Sequence, residues 1–332
     1  MGYLLITFGY MNLHHLRYVV AVVRNQMSVT AAAAALGTSQ PAVSRALKSL
    51  EDELGFEIFV RSGRSFTRLT PEGRRVLDQA RKALAEIESL EAIAADLRQN
   101  DRGELTIATT HTQARYVLPP VITQFRQKYP QVELHLHQGT SEQIADMLAH
   151  DQVHLAIATG SEGLFRELVL LPVYRWHRKV IVPKKHPLAK RDKLTIQDLA
   201  DYPLVTYVFS FTGPSSLHEI FARAGLKPQV ALTARDSDVI KTYVRLGLGV
   251  GIVASVAIEP EQDSDFVILD AGHLLPVHTT WIGFRRGSLL RSYVYDFLQL
   301  FGPHLDRRLV DRVAESPGDT ASLFRRISLP LR

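Results

Sequence analysis

Two groups of side chains in this 332-residue sequence have types and spacings suited to binding chemistry. The first is Gln40, Ser44, Arg45 and Lys48, which share one face if the stretch is helical. An amide, a hydroxyl and two cations can hydrogen-bond base edges and pair with the phosphates of duplex DNA. Ser39 and Pro41 open the same stretch, and Arg61, Arg64 and Arg68 add cations shortly after it. The second group is Thr110, Thr112, Gln113, Thr159 and Thr212, with Arg115 as a nearby cation. Hydroxyls and an amide at strand ends and helix starts can hold a small anion, beside the free N–H groups of those helices.

Catalysis is not indicated. No Ser-His-Asp arrangement, acid/base pair or nucleophile elbow stands in the context it needs. The absence of cysteine excludes disulfides, thiolate zinc sites and thiol chemistry. His135 with His137, and His150 with His154, lack a carboxylate in fixed register, so no metal site is expected. Gly247-Leu248-Gly249-Val250-Gly251 follows a helix and precedes a strand, the reverse of a phosphate cradle, and reads as a tight turn.

The first group needs a helix-turn-helix to present it. Ser28 can cap a helix over 29–36, Gly37 ends it, and Ser39 caps a second helix with Pro41 in its first turn. Val43, Leu47, Leu50 and Leu54 give that second helix an apolar stripe opposite the polar face, and Glu51-Asp52-Glu53 is expected at its far end, away from DNA. Leu16, Val19, Val20 and Val23 mark an earlier helix. Short strand-like runs at 56–60 and 66–69 flank Arg61 to Ser65 and predict a basic β-hairpin wing. Residues 11–69 therefore read as an all-α-rich winged helix-turn-helix.

Thr70-Pro71-Glu72 begins a long helix reaching about Leu97, within a linker over 70–99. Val76, Ala80, Ala83, Ile87, Leu90, Ala94 and Leu97 occupy heptad a and d positions, which predicts a self-associating helix. After a hinge at Asn100-Asp101-Arg102-Gly103, strands and helices alternate over 103–302. This predicts a two-lobed α/β domain with mostly parallel sheets and a cleft that gathers the second group. The tail, 303–332, has few apolar residues until its end, and its structure stays open.

A net charge of +5 with a pI near 9.4 permits a polyanion partner, and 46% hydrophobic with 22% charged residues is an ordinary globular balance. No apolar run approaches the roughly 20 residues of a membrane helix. The start, MGYLLITFGY, has no basic n-region or small-residue cleavage site, so a cytoplasmic location is expected. Met11 is a second possible start, and the first ten residues are expected to be dispensable.

The winged region, with SQPAVSRALKSLEDELG, FVRSG and LTPEG, resembles the LysR-type transcriptional regulators. The likeness narrows through TTHTQARYVLP, HLHQG, QIAD, LAIAT, YPLVTY followed by FTG, DSDVIKTYVRLGLGVGIVAS and IGFRR. These are similar to the CysB branch, activators of cysteine biosynthesis and sulfur assimilation, and the likeness spans residues 11–330. It implies effector lobes of periplasmic-binding-protein type and a pocket for sulfate, N-acetylserine or O-acetylserine on Thr110, Thr112, Gln113, Thr159 and Thr212. It also implies double-stranded promoter DNA, a homo-oligomer (a dimer, paired into a tetramer) and RNA polymerase as partners, with no cofactor. Departures fall in SEGLF after Thr159 and at Val208–Phe211, so a paralogue serving sulfonate use is the alternative. A solute-binding protein is disfavoured by the helix-turn-helix and the missing signal peptide, and an enzyme by the missing catalytic constellation.

Overall fold

Asn12 opens the first helix, α1 (Leu13–Arg24), through a capping box with His15. Ser28 caps α2 (Val29–Ala35) by accepting from Ala31 N–H, as expected. Ser39 sits at the N-cap of α3 (Gln40–Leu54) but makes no side-chain capping bond. The reason is local: Pro41 has no N–H, and the Ala42 N–H is taken by the Ser39 carbonyl. Gly55, at φ 75°, ends α3 in the left-handed conformation. Val19, Val22, Val43, Leu47, Leu50, Ile58 and Phe59 form the core of this unit.

The wing is an antiparallel pair, β1 (Phe59–Ser62) and β2 (Ser65–Leu69), with an irregularity after Val60. Its strands reach closer to the turn than the sequence suggests, so Arg61 lies in β1. The long helix α4 (Pro71–Leu97) has 27 residues, about 40 Å at 1.5 Å per residue. Leu77 and Ala80 are buried in the winged core, with Val76 and Leu84 packed against it. Further along, Leu90 is 62% and Ile93 45% exposed.

The computed structural model describes residues 11–63, 65–97, 102–159, 168–211, 216–316, 324 and 327–332, in two units divided between Gln99 and Asn100. The first ten residues, hinge positions 100–101, Arg64, the SEGLF stretch, Thr212, Arg325, Arg326 and the Leu97 side chain lie outside what is described.

The second unit contains two five-stranded sheets. In lobe one, β3 (Gly103–Thr109), β4 (Val132–Gln138), β5 (Leu155–Thr159), β6 (Leu168–Trp176) and β12 (His278–Arg285) lie in the order β4-β3-β5-β12-β6. In lobe two, β7 (Arg178–Pro183), β8 (Leu204–Tyr207), β9 (Val230–Ala234), β10 (Val250–Ala254) and β11 (Phe266–Asp270) lie in the order β11-β7-β10-β8-β9. The expected parallel strands are β3–β5 and β8–β10; β12 and β7 run antiparallel to both of their neighbours. Parallel pairing is thus only part of each sheet, because the strands that carry the chain from lobe to lobe must reverse direction. The crossings run from Trp176 through His177 to Arg178, and from β11 back to His278.

Helices α5 (Leu118–Lys128), α6 (Ser141–Ala149), α10 (Ser292–Phe301) and α11 (Arg307–Glu315) belong to lobe one, and α7 (Ile196–Ala200), α8 (Leu217–Arg223) and α9 (Ser237–Arg245) to lobe two. The tail is not a loose appendage. Leu305, Val310 and Val313 are buried in the same core as Phe125 and Phe297. Its end returns to the crossing, where Arg175 N–H donates to the Pro330 carbonyl at 2.8 Å and Arg332 N–H to the Arg175 carbonyl at 2.8 Å.

Candidate functional site

On α3, Val43, Leu47 and Leu50 are buried, which turns Gln40, Arg45 and Lys48 to solvent, with Ser44 half-buried. Gln40 Nε2 donates to Ser44 Oγ at 2.9 Å, so the two polar groups are held side by side. Arg45 Nε reaches back to the Pro41 carbonyl at 3.3 Å and leaves the rest of the guanidinium outward. Ser39, free of a capping bond, and Pro41 are exposed at the start of the same helix. Arg68 is exposed on β2.

Two sequence expectations need correction here. Glu51 is buried rather than displayed with Asp52 and Glu53. Its Oε1 accepts from the Ile58 N–H at 2.8 Å and the Phe59 N–H at 3.2 Å, and its Oε2 pairs with Arg61. Arg61 is therefore neutralised from within, with its guanidinium over the Phe66 ring at 5.0 Å, and is not a free cation for phosphate. A buried carboxylate must find donors, and the start of β1 supplies two.

In the second unit, Thr110 follows β3 and precedes a helical stretch whose residues 113–117 form a π turn. Pro119 and Pro120 supply no N–H to the carbonyls behind them, and the wider turn closes instead with Leu118 N–H donating to the Gln113 carbonyl. This turn directs Gln113 into the interior. Tyr174 Oη donates to Gln113 Oε1 at 2.6 Å, and Gln113 Nε2 donates to Thr280 Oγ1 at 3.4 Å. Thr159, ending β5, meets the same Thr280 hydroxyl at 3.2 Å, and Trp176 Nε1 donates to it at 3.1 Å. Gln113 and Thr159 thus converge on one buried hydroxyl.

In lobe two, Tyr207 bonds Ser237 Oγ at 2.6 Å and accepts the Ala254 N–H at 2.9 Å, with Thr112 of lobe one close enough to act on its hydroxyl. Burial pushes the Tyr207 hydroxyl up, so it stays protonated. Beside it, Arg178 is drawn down to about 10 by burial and remains a cation at neutral pH. Burial, with Arg178 adding to it, lowers His278 to about 4. Tyr174, Trp176, Arg178, Tyr207, His278 and Thr280 were not singled out in the sequence; only the sheet registers unite them. Thr110, half-buried just after β3, lends its carbonyl to the Ala114 N–H at 3.1 Å.

The lobes are also tied at the front. His111 Nε2 lies 2.9 Å from Asp238 Oδ2, Tyr116 Oη donates to Asp238 Oδ1 at 2.7 Å, and Arg115 bridges to Glu259 at 3.1 Å. Arg115, which looked like a ligand cation, is therefore spent on the interlobe contact. His111, Asp236 and Asp238 bring ligand atoms within 4.8 Å of one another, a grouping that could hold a metal ion and that linear spacing did not reveal. His154 Nδ1 accepts the Thr106 N–H at 2.9 Å, while His150 contacts Asp146 one turn back and His135 lies 3.9 Å from Glu104 and Glu133, carboxylates that the linear reading passed over. Gly247 takes φ 80° after α9, and a Cβ on Gly249 would meet the Pro203 carbonyl oxygen at 2.2 Å, so this glycine run is turn geometry as expected.

Residues 13–74 match the model of the bacterial regulatory helix-turn-helix protein, lysR family, and residues 98–306 match that of the LysR substrate binding domain. The chain is 50% identical to the HTH-type transcriptional regulator CysB of Haemophilus influenzae over 91% of its own length and 93% of that protein's. It is 46% identical to CysB of Burkholderia cenocepacia, over 94% of its length and 100% of that protein's. Among solved structures, the cofactor-binding domain of the Cbl transcriptional regulator superposes with a TM-score of 0.61 at 44% identity, covering 65% of this chain and 95% of that one. With both matched regions in this order on one chain, the protein belongs to the LysR family of transcriptional regulators and, within it, to the CysB branch.

Proposed function

We propose that this regulator, located in the cytoplasm, binds double-stranded promoter DNA of sulfur-assimilation and cysteine-biosynthesis genes, mostly as an activator acting on RNA polymerase. The observation that carries this reading is the 50% identity to a CysB regulator across 91% of the chain. It exceeds the 44% identity to the Cbl domain, which favours the CysB reading over a reading based on that relative. In the division of labour, 11–69 reads DNA, 70–99 joins protomers, 103–302 binds effector, and 303–332 docks on the effector lobes. Ser39, Gln40, Pro41, Ser44, Arg45, Lys48, Arg64 and Arg68 face DNA, while Arg61 braces the wing. Exposed Leu90 and Ile93 support a homodimer through α4, with dimers pairing into a tetramer.

The effector is sulfate or an acetylserine, held at Thr110, Thr112, Gln113, Thr159 and Thr212. The convergence of Gln113 and Thr159 on Thr280, with Thr112 beside Tyr207, supports this assignment. Mapping bound sites genome-wide with and without sulfur starvation tests the first part; occupancy unrelated to sulfur genes would reject it. Calorimetry of the full chain with sulfate and with acetylserine tests the second. Thr110→Val and Thr159→Val should each weaken one ligand, and unchanged affinity in both would place the effector elsewhere.

A further inference from the structure

Arg178 is the residue of the cleft that packing does not explain. It is 3% exposed, and neither its Nε nor its Nη1 has a hydrogen-bond partner. None of the ion pairs among the described residues involves it. An unpaired buried charge is among the least favourable things a protein can enclose, and nearly all buried charges are matched. Its position is set by register. At the first residue of β7 it lies opposite Ala254, whose N–H donates to the Tyr207 hydroxyl. Tyr207 in turn bonds Ser237 and lies beside Thr112. On the lobe-one side, His278 also has a buried Nε2 without a partner, and its ring lies 4.7 Å from that of Trp176. Trp176 donates to Thr280, the hydroxyl shared by Gln113 and Thr159. Arg178 interacts electrostatically with both Tyr207 and His278. The orphaned nitrogens are thus flanked by the neutral donors of both lobes, at the two chain crossings.

We propose that Arg178, with the His278 nitrogen beside it, is the charge anchor of the cleft for a small oxyanion, sulfate or the carboxylate of an amino-acid derivative. The inference rests on reading the cleft as the effector site and adds a residue to it. Threonines and an amide recognise shape and oxygen atoms but cannot balance charge. A guanidinium can, and its planar fork suits a tetrahedral or planar oxyanion. The charge also accounts for a preference for anions over neutral molecules of similar shape. Without ligand the buried cation destabilises the lobes; with ligand that cost is relieved.

The experiment compares the full chain with Arg178→Met, Arg178→Lys and Thr159→Val, by thermal melting and by calorimetry with sodium sulfate at constant ionic strength. Arg178→Met should melt above the wild type without sulfate and lose about 10- to 150-fold in sulfate affinity, the range for a charge-assisted bond. Thr159→Val should weaken sulfate without raising the unliganded melting temperature. If Arg178→Met binds sulfate as the wild type does while Thr159→Val is weakened, the cleft assignment stands and the anchor is refuted. If both bind normally, the cleft assignment itself fails and the anchor with it. Should Arg178→Met not fold, Arg178→Lys decides: it keeps the charge and loses the fork, so sulfate affinity must drop about 10-fold, and unchanged affinity refutes the proposal.

Discussion

Between α3 and the wing, Glu51 and Arg61 carry the main consequence for DNA binding. Removing the carboxylate in Glu51→Ala would orphan two backbone N–H groups at the start of β1 and release Arg61. Each buried N–H left unpaired costs about 1–3 kcal/mol, so the two together should cost about 2–6 kcal/mol in urea unfolding. The same pairing separates the arginines by function. Arg45→Ala, Lys48→Ala and Arg68→Ala should each flatten the plot of log affinity against log salt by about 0.9, whereas Arg61→Ala should change it far less. Equal slopes for all four variants would mean that Glu51 does not hold Arg61 in solution. His278 gives a second residue-scale expectation. Its ordinary value is 6.5 and burial lowers it to about 4, so in this range the unfolded chain binds the proton that the folded chain refuses. Stability contributed by neutral His278 is complete above about 6.5 and is lost toward pH 4, by about 1.4 kcal/mol per pH unit at the steepest. His154, also lowered by burial, acts in the same direction. Denaturation between pH 7 and 5 should therefore steepen with acidity, and His278→Gln should reduce the slope. These roles were hard to see in the sequence because each partner lies on another strand. Gln113 and Thr159 could be suspected from their place at a helix start and a strand end, but Thr280 and Arg178 sit in strands without any local signal.

At the scale of elements, α3 and α4 were legible because helical periodicity survives without knowledge of the partner surface. The heptad positions of α4 divide in the structure: Ala80 packs into the winged core, Ala83 and Ile87 are half-buried, and Leu90 is exposed. A 3-4 pattern cannot tell which stretch faces its own domain and which faces another chain. The exposed end is the one that needs a partner. Ile87→Glu with Leu90→Glu should shift sedimentation toward a single chain and leave the winged core folded, since its buried contacts come from Leu77 and Ala80. An unchanged oligomer would move the interface off this helix. The lobes were legible as alternating strands and helices. The antiparallel β12 and the π turn at 113–117 were not. The first depends on where the chain crosses between lobes; the second arises where Pro119 and Pro120 disrupt an otherwise ordinary helix start. The tail was unreadable for a different reason. Leu305, Val310 and Val313 bury its first part, with Leu309 and Ala314 packed against the same core, a short apolar set that shows no clear pattern before that core is known.

For the whole molecule, effector and DNA must be linked through free energy. The cleft draws on both lobes: Gln113, Thr159 and Thr280 from one, Tyr207 and Arg178 from the other. A ligand that contacts both favours one interlobe geometry, and it can regulate only if that geometry differs in affinity for the promoter. The expected coupling is about 1–3 kcal/mol, which is about a 5- to 150-fold change in affinity. Linkage makes the effect reciprocal, so promoter DNA must change effector affinity by the same factor and in the same sense. Fluorescence titration of a promoter duplex with and without saturating sulfate gives one side of the cycle. Calorimetry of sulfate with and without duplex gives the other. Breaking the front ties with Asp238→Asn, which weakens the His111 and Tyr116 contacts, should shift the interlobe equilibrium and alter both factors together. Two factors that disagree would mean that binding stoichiometry changes with ligand, and two factors of one would disconnect the cleft from the DNA.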